Sequence, residues 1–376
     1  MGLHDIWENF FSKKDKQDSK EAKKRKQTQD RSQFKKSDQD KKAKLEANGI
    51  TPAEGTVKGR VISIGPSQAE VVAEKKTYLC TVRGRLKQKN VKLKNLIAVG
   101  DYVYITPGKC DAKDSKRKNS LPEGVIESVE PRATLLGRGE NLSRHKQQII
   151  AANIDLVMVV ASVYAPVFRP TLIDRYLIAA EKGNLQAAIV INKVDMIQEI
   201  EPKERQLFED FCELYEALGY TVFLVSSKSG KGLNLLEEHM DGKASVFSGQ
   251  SGTGKSSLLT AVTGQELLVG DTVRRTHKGS HTTVKTRLIP LASGGFCLDT
   301  PGIKSFGIWD FKLEDIKRHF FEISKLGEEC RYPDCSHRHE PSCRVKEALE
   351  LGEVSAIRYQ SYEALLEELY SEHKRR

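Results

Sequence analysis

The stretch Gly249-Gln250-Ser251-Gly252-Thr253-Gly254-Lys255-Ser256-Ser257 decides the fold. It fits GxxxxGK[ST]. An apolar run of strand length, Ala244-Ser-Val-Phe-Ser248, leads into it, and Ser257-Leu-Leu-Thr-Ala-Val262 reads as the start of a helix. That strand–loop–helix setting is what gives the pattern meaning. The glycines let backbone N–H groups close around phosphate oxygens, and the helix N-terminus adds partial positive charge. Lys255 is expected to reach the β- and γ-phosphates, and the Ser256 hydroxyl to ligate Mg²⁺.

Working upstream, Asn192-Lys193-Val194-Asp195 ends the apolar run Ala187-Ala-Ile-Val-Ile191. A carboxylate there accepts the paired N1–H and N2–H₂ donors of guanine. Adenine lacks that pair and would leave Asp195 unpaired in a desolvated place. Asn192 can tie the base to the loop, and the Lys193 stem can cover its face. Ser226-Ser227-Lys228 follows the next strand, Thr221–Val225, where a backbone N–H can meet the base oxygen. Downstream, Asp299-Thr300-Pro301-Gly302 follows the strand Phe296–Leu298. Asp299 is placed to hold Mg²⁺, directly or through water, and the Gly302 N–H to sense the γ-phosphate. Between them lies Gly279-Ser280-His281-Thr282-Thr283, one of whose threonines is expected to complete the Mg²⁺ shell.

The rest of the chain brackets this region. Near-continuous apolar runs at Leu156–Val160 and Ala187–Ile191 suit parallel strands covered on both faces, with helices at Leu172–Lys182 and Ile200–Leu218. Before them, Gly59–Gly65, Ala69–Ala73, Thr77–Val82, Asp101–Ile105 and Gly124–Val129 read as short strands of a small barrel. From Arg83 to Lys118 eleven Lys/Arg face only Asp101, Asp111 and Asp114, an electrostatic footprint for nucleic acid. Residues 1–50 hold 14 Lys/Arg against 9 Asp/Glu and cannot bury enough apolar surface to offset ordering entropy. Within them, Leu3, Ile6, Trp7, Phe10 and Phe11 mark one apolar face of a short helix.

At the far end, Cys330-x4-Cys335-x-His337-x5-Cys343 offers three thiolates and an imidazole, a closed tetrahedral set for structural Zn²⁺, with His339 as a competing ligand. Seven cysteines, four of them scattered, argue against a disulfide framework. The 376 residues are 38% hydrophobic and 30% charged with net charge +10, which excludes collagen, a disulfide miniprotein and a wholly disordered chain. The longest uncharged apolar stretch, Leu156–Phe168, is too short to span a bilayer. Residues 1–30 hold no secretory core, and Ile6 breaks the myristoylation pattern, so a cytoplasmic protein without stable membrane association is expected.

The motif order is NKVD, SSK, phosphate loop, HTT, DTPG. A Ras-like GTPase has the phosphate loop first, so this is the same sheet cyclically reordered. The order resembles that of the RsgA (YjeQ) family of ribosome-small-subunit-dependent GTPases, from about Gly55 to the C-terminus. The resemblance implies a multidomain chain. A basic tail (1–52) precedes an all-β oligonucleotide/oligosaccharide-binding (OB) barrel (53–132). A circularly permuted α/β P-loop GTPase domain (133–318) and an α-helical zinc-binding domain (319–376) follow. It implies hydrolysis of GTP to GDP and phosphate, stimulated by the small ribosomal subunit, and a role in that subunit's late maturation. The partners implied are the small subunit with its rRNA, and GTP or GDP, for a monomer. One structural Zn²⁺ and Mg²⁺ with GTP are the implied cofactors.

The resemblance also assigns residues. Thr283 becomes the Mg²⁺-side threonine, although Val284 replaces the third Thr of the family's run, so Thr282 competes. His337 becomes the fourth zinc ligand. Ile303 stands where Ras-like enzymes orient water with a Gln and cannot hydrogen-bond, so His281 is expected to position the nucleophile. Two other readings compete: a zinc-stabilised RNA-binding module with a degenerate nucleotide site, and a permuted GTPase of the large subunit. The intact Lys255, Ser256, Asp299 and Asp195 speak against the first. The basic barrel and the cysteine cluster weigh against the second.

Overall fold

The computed structural model describes residues 55–83, 96–108, 121–139, 147–265, 286–299 and 312–374. The expectations placed on the tail 1–52, on most of the basic barrel loops, and on His281, Thr282, Thr283 and Gly302 lie outside the described residues.

Five strands close into a barrel: β1 (Val57–Ile64), β2 (Ala69–Ala73), β3 (Lys76–Val82), β4 (Tyr102–Pro107) and β5 (Glu123–Val129). Their order is β1-β2-β3-β5-β4 and back to β1, with only β3 and β5 parallel. Alternation is plain on β2, where Ala69, Val71 and Ala73 are buried and the residues between them half-buried. Val61, Val71, Cys80, Val103, Ile105 and Ile126 fill the interior. A hairpin absent from the sequence reading, β6 (Leu135–Gly139) with β7 (Gln147–Ala152), leads out of the barrel.

The second sheet contains β8 (Leu156–Ser162), β9 (Gln186–Asn192), β10 (Thr221–Leu224), β11 (Ala244–Gly249), β12 (Arg287–Pro290) and β13 (Phe296–Asp299). The order is β10-β9-β8-β11-β13-β12, parallel except for the edge strand β12. Helices α1 (Pro170–Lys182) and α2 (Pro202–Ala217) cover one face; α3 (Leu233–Met240) and α4 (Lys255–Thr263) cover the other. On β8, Val157 and Val159 enter the first core while Leu156, Met158 and Val160 enter the second, which is why the run is apolar throughout. β12 also pairs with β1 of the barrel, so both sheets are continuous.

The C-terminal helices are α5 (Leu313–His319), α6 (Phe321–Gly327), α7 (Arg344–Glu350) and α8 (Ala356–Lys374). Gly352, at φ +73°, takes the left-handed turn between α7 and α8, and Leu351 beside it is exposed.

Candidate nucleotide and metal sites

The C-terminal edge of the parallel sheet carries the motifs, where open α/β sheets bind ligands. β11 delivers the phosphate loop and α4 begins at Lys255 with Gly254 as its N-cap. Gly254 has φ +89°, and a Cβ on it would stand 2.3 Å from Asn192 Nδ2. Only glycine fits this approach of the Asn192 loop to the phosphate loop.

Asn192 is fully buried at the end of β9 and holds three motifs together. Its Nδ2 donates to the Thr253 carbonyl at 2.9 Å, and its Oδ1 accepts the Ser227 N–H at 3.1 Å. The Ser226 hydroxyl donates to Asp195 Oδ1 at 2.7 Å and accepts the Ser229 N–H at 3.0 Å. One oxygen of the Asp195 carboxylate is thereby oriented while the residue stays exposed. Lys228 is exposed beside it. Lys193, at φ +64°, donates its ammonium to the Ala165 carbonyl.

Within the phosphate loop, the Lys255 ammonium donates to the Gln250 carbonyl at 2.7 Å, and the Thr253 hydroxyl donates to the same oxygen at 3.0 Å. Ser251, Gly252, Ser256 and Ser257 are exposed. Gly249, at φ +148°, packs so closely on β8 that a Cβ would meet the Val160 carbonyl oxygen at 2.1 Å. Asp299 ends β13, one strand over from β11. Burial raises its carboxyl above the ordinary value. A half-buried carboxylate at this position is a group that a bound cation would relieve.

The sequence reading missed the β8–α1 loop. Ala165 holds Lys193, and Pro166 Cδ lies 3.5 Å from where a Gly252 Cβ would stand. Pro166, shortly past the apolar strand that ends at Ser162, was the available signal. Just before β8, Asp155 Oδ2 accepts the Ala244 N–H at 2.8 Å and fixes the start of the phosphate-loop strand.

In the C-terminal region, Cys330 Sγ, Cys335 Sγ, His337 and Cys343 Sγ converge with all ligand atoms within 4.8 Å of one another. Cys330 Sγ and Cys343 Sγ are 3.8 Å apart, and each is 3.5 Å from His337 Nδ1. His339 is exposed and outside the group. Burial lowers the His337 imidazole, favouring the neutral ring a metal needs, and pushes the Cys335 thiol up to about 12. A metal must therefore displace that proton. The Glu340 carboxylate braces the loop, accepting Ser336 Oγ (2.6 Å) and the N–H groups of Ser336 (2.9 Å), Arg338 and His339 (both 3.1 Å). Burial alone would raise its carboxyl; these bonds outweigh burial and hold it well below the carboxylate range.

Known proteins resemble this chain in sequence and fold. The RsgA GTPase family model matches residues 129–309. The small ribosomal subunit biogenesis GTPase RsgA of Chlorobaculum parvum is 38% identical over 73% of this chain and 86% of its own. RsgA 2 of Bacteroides thetaiotaomicron is 35% identical over 83% of this chain and 97% of its own. The crystal structure of YjeQ from Thermotoga maritima superposes with a TM-score of 0.62 at 32% identity, covering 84% of this chain and 99% of that one. YloQ, described as a circularly permuted GTPase, gives the same TM-score at 27% identity over 86% and 99%. With its phosphate loop and the earlier Asn192–Asp195 loop joined through Asn192, this chain belongs to the RsgA family of GTPases.

Proposed function

We propose that this protein hydrolyses GTP to GDP and phosphate on the small ribosomal subunit and acts in its late maturation. The observation that carries the reading is the Asn192 side chain, which bonds the phosphate loop and the Ser226–Lys228 loop at once and so makes one nucleotide crevice. The names of the relatives supply the subunit.

In this reading Asp195 takes the guanine N1–H and N2–H₂ edge, oriented by Ser226. Lys193 covers the face of the base while Ala165 holds its ammonium. The Ser227 and Lys228 backbone meets the base oxygen. Gly249 through Ser257 wrap the phosphates, and Lys255 leaves the Gln250 carbonyl for the β- and γ-phosphate oxygens. Ser256, Asp299 and Thr283 would hold Mg²⁺, which when bound neutralises charge developing on the phosphate oxygens. The Gly302 N–H senses the γ-phosphate. His281 positions the water, because Ile303 has no group to do so.

The four converging side chains would hold one structural Zn²⁺. A tetrahedron with Zn–S of about 2.3 Å and Zn–N of about 2.0–2.1 Å has S···S edges of ~3.8 Å and S···N edges of ~3.5 Å. The observed 3.8 and 3.5 Å separations fit those edges. The barrel (53–132) and the zinc domain (319–376) contact rRNA on either side of the GTPase domain (133–318), in a cytoplasmic monomer. Among the described residues no helix is long and apolar enough to cross a membrane.

GTP turnover with small subunits, large subunits or no addition, with ATP as control, tests the reading. Small subunits alone should accelerate GTP turnover. Equal rates in all three arms would overturn it. His281→Ala should lose the acceleration and keep GTP binding. Metal analysis should find one zinc per chain, and Cys335→Ser should lose it.

A further inference from the structure

Only one strand pair joins the barrel to the parallel sheet among the described residues, and its register is informative. Ser63 of β1 faces Arg287 of β12, and Arg287 faces Asp299 of β13. One row of the sheet therefore runs from the barrel wall to the carboxylate at the phosphate end of β13. Two interstrand spacings of about 4.8 Å separate the ends of that row. The Arg287 side chain turns back to the barrel and meets Glu70 of β2 at 3.4 Å.

The other end of the same hairpin is held differently. Phe296, which opens β13 opposite Pro290, lies under the guanidinium of Arg60, 5.1 Å from its ring centroid. Arg60 comes from β1 and is 9% exposed. It also lies 5.0 Å over Tyr102 of β4, and its Nη2 donates to the Asn153 carbonyl at 2.6 Å. The barrel thus grips both ends of the β12–β13 hairpin. The hairpin's open end continues into the two segments read as nucleotide-sensing, which precede Arg287 and follow Asp299.

We propose that the β12–β13 hairpin is the joint through which subunit contact at the barrel and the nucleotide state act on each other, with Arg60 and Arg287 as its positioning residues. The inference rests on the functional reading above and adds the route. A sheet row is stiff along its hydrogen bonds, so a shift of Asp299 toward or away from the phosphates moves Arg287 and Ser63 with it. Arg60 supplies the second point of attachment, without which the hairpin could tilt on β1 instead of carrying the barrel along. By reciprocity, subunit binding that fixes the barrel must bias the same hairpin.

The test uses the full chain and purified small ribosomal subunits. Arg287→Glu places like charges at the Glu70 contact, and Glu70→Arg combined with Arg287→Glu restores opposite ones. Both positions are solvent-accessible, so the fold tolerates the exchange. For Arg287→Glu, subunit-stimulated turnover should fall ~5- to 10-fold, and the preference of the subunit for the GTP form over the GDP form should fall with it. Basal turnover and GTP affinity should stay at parent values. The double exchange should recover stimulation, a rescue that a merely structural role would not give. Arg60→Gln should act like the single reversal; if it fails to fold by circular dichroism, the charge exchange decides alone. Full stimulation in Arg287→Glu, or no recovery in the double exchange, would overturn the joint while leaving the enzyme reading intact. An unstimulated parent chain would overturn the functional reading and the joint with it.

Discussion

The parallel sheet is held on two sides by joints of opposite construction. At the β12 edge the barrel attaches through one residue pair in register, an accessible ion pair, and the Arg60 guanidinium over Phe296. Around it the contact is apolar, with Ile62 of β1 and Leu288 of β12 in one core. At the α1 face the C-terminal helices attach through a buried ion network. Asp174 Oδ1 accepts from Tyr215 Oη (2.5 Å), Arg358 Nη1 (2.7 Å) and His319 Nε2 (2.9 Å). Arg358 also donates to Glu322 Oε1 and the His319 carbonyl at 2.7 and 2.8 Å and lies 4.2 Å from the Phe320 centroid. The barrel joint transmits along one stiff row of the sheet and has few specific side-chain contacts beside it. The helical joint rests on a buried ion network that is satisfied in one geometry only.

Substitutions at the helical joint should have the largest effect. Removing one partner of a buried ion network costs about 3–5 kcal/mol, because the remaining charge is stranded. Arg358→Met and Asp174→Asn should each lower unfolding free energy by that order in urea titrations. A loss below about 1 kcal/mol would mean that the apolar contacts around α8 hold the helices unaided.

The pH dependence should be smaller and have a definite sign. Burial alone would lower His319, but Asp174 on one ring nitrogen and Glu181 on the other raise it above its ordinary 6.5, against the Arg358 charge. A raised histidine contributes stability that is fully present below its unfolded value and lost as pH rises through the folded value. Asp174 and Glu181 work the other way. Burial would raise both, the His319 bonds lower them, and their contribution is lost as pH falls through their folded values. Stability should therefore decline as pH climbs past neutrality. His319→Gln should flatten that decline; an unchanged slope would mean that another group carries it.

The accessible ion pair of the barrel joint should give the smallest stability change. Arg287 and Glu70 have side chains 58% and 31% exposed, so Arg287→Ala should cost under about 1 kcal/mol. A cost above about 3 kcal/mol would place this contact with the buried ion network and erase the contrast.

The sequence was most legible where chemistry demands particular residues at fixed spacing. The phosphate loop, Asn192–Asp195 and the Cys330–Cys343 cluster could be read because glycine φ angles, carboxylate recognition and thiolate geometry leave few substitutes. Barrel strands were legible from two-residue alternation, as on β2. The joints were not. Asp174 and Arg358 look like surface residues of amphipathic helices, and their burial follows from two helices far apart in sequence meeting face to face. Arg60 sits in a strand whose alternation gives no hint that its outward side chain meets Phe296. Strand β12 is four residues ending in proline and carries too weak a pattern to stand out. The 165–166 contacts behind Lys193 were hinted at only by Pro166, because loop meets loop only after the sheet has formed.

The most direct measurement is a change of base preference. Asp195→Asn replaces an acceptor with an amide whose N–H₂ repels the guanine amino group and matches the carbonyl of xanthine. The account predicts that this variant loses GTP affinity by more than about tenfold and gains affinity for xanthosine triphosphate, while the wild-type chain prefers GTP. Unchanged GTP affinity in Asp195→Asn, with no gain for xanthosine triphosphate, would contradict the claim that Asp195 and the loop at Lys255 hold two ends of one nucleotide.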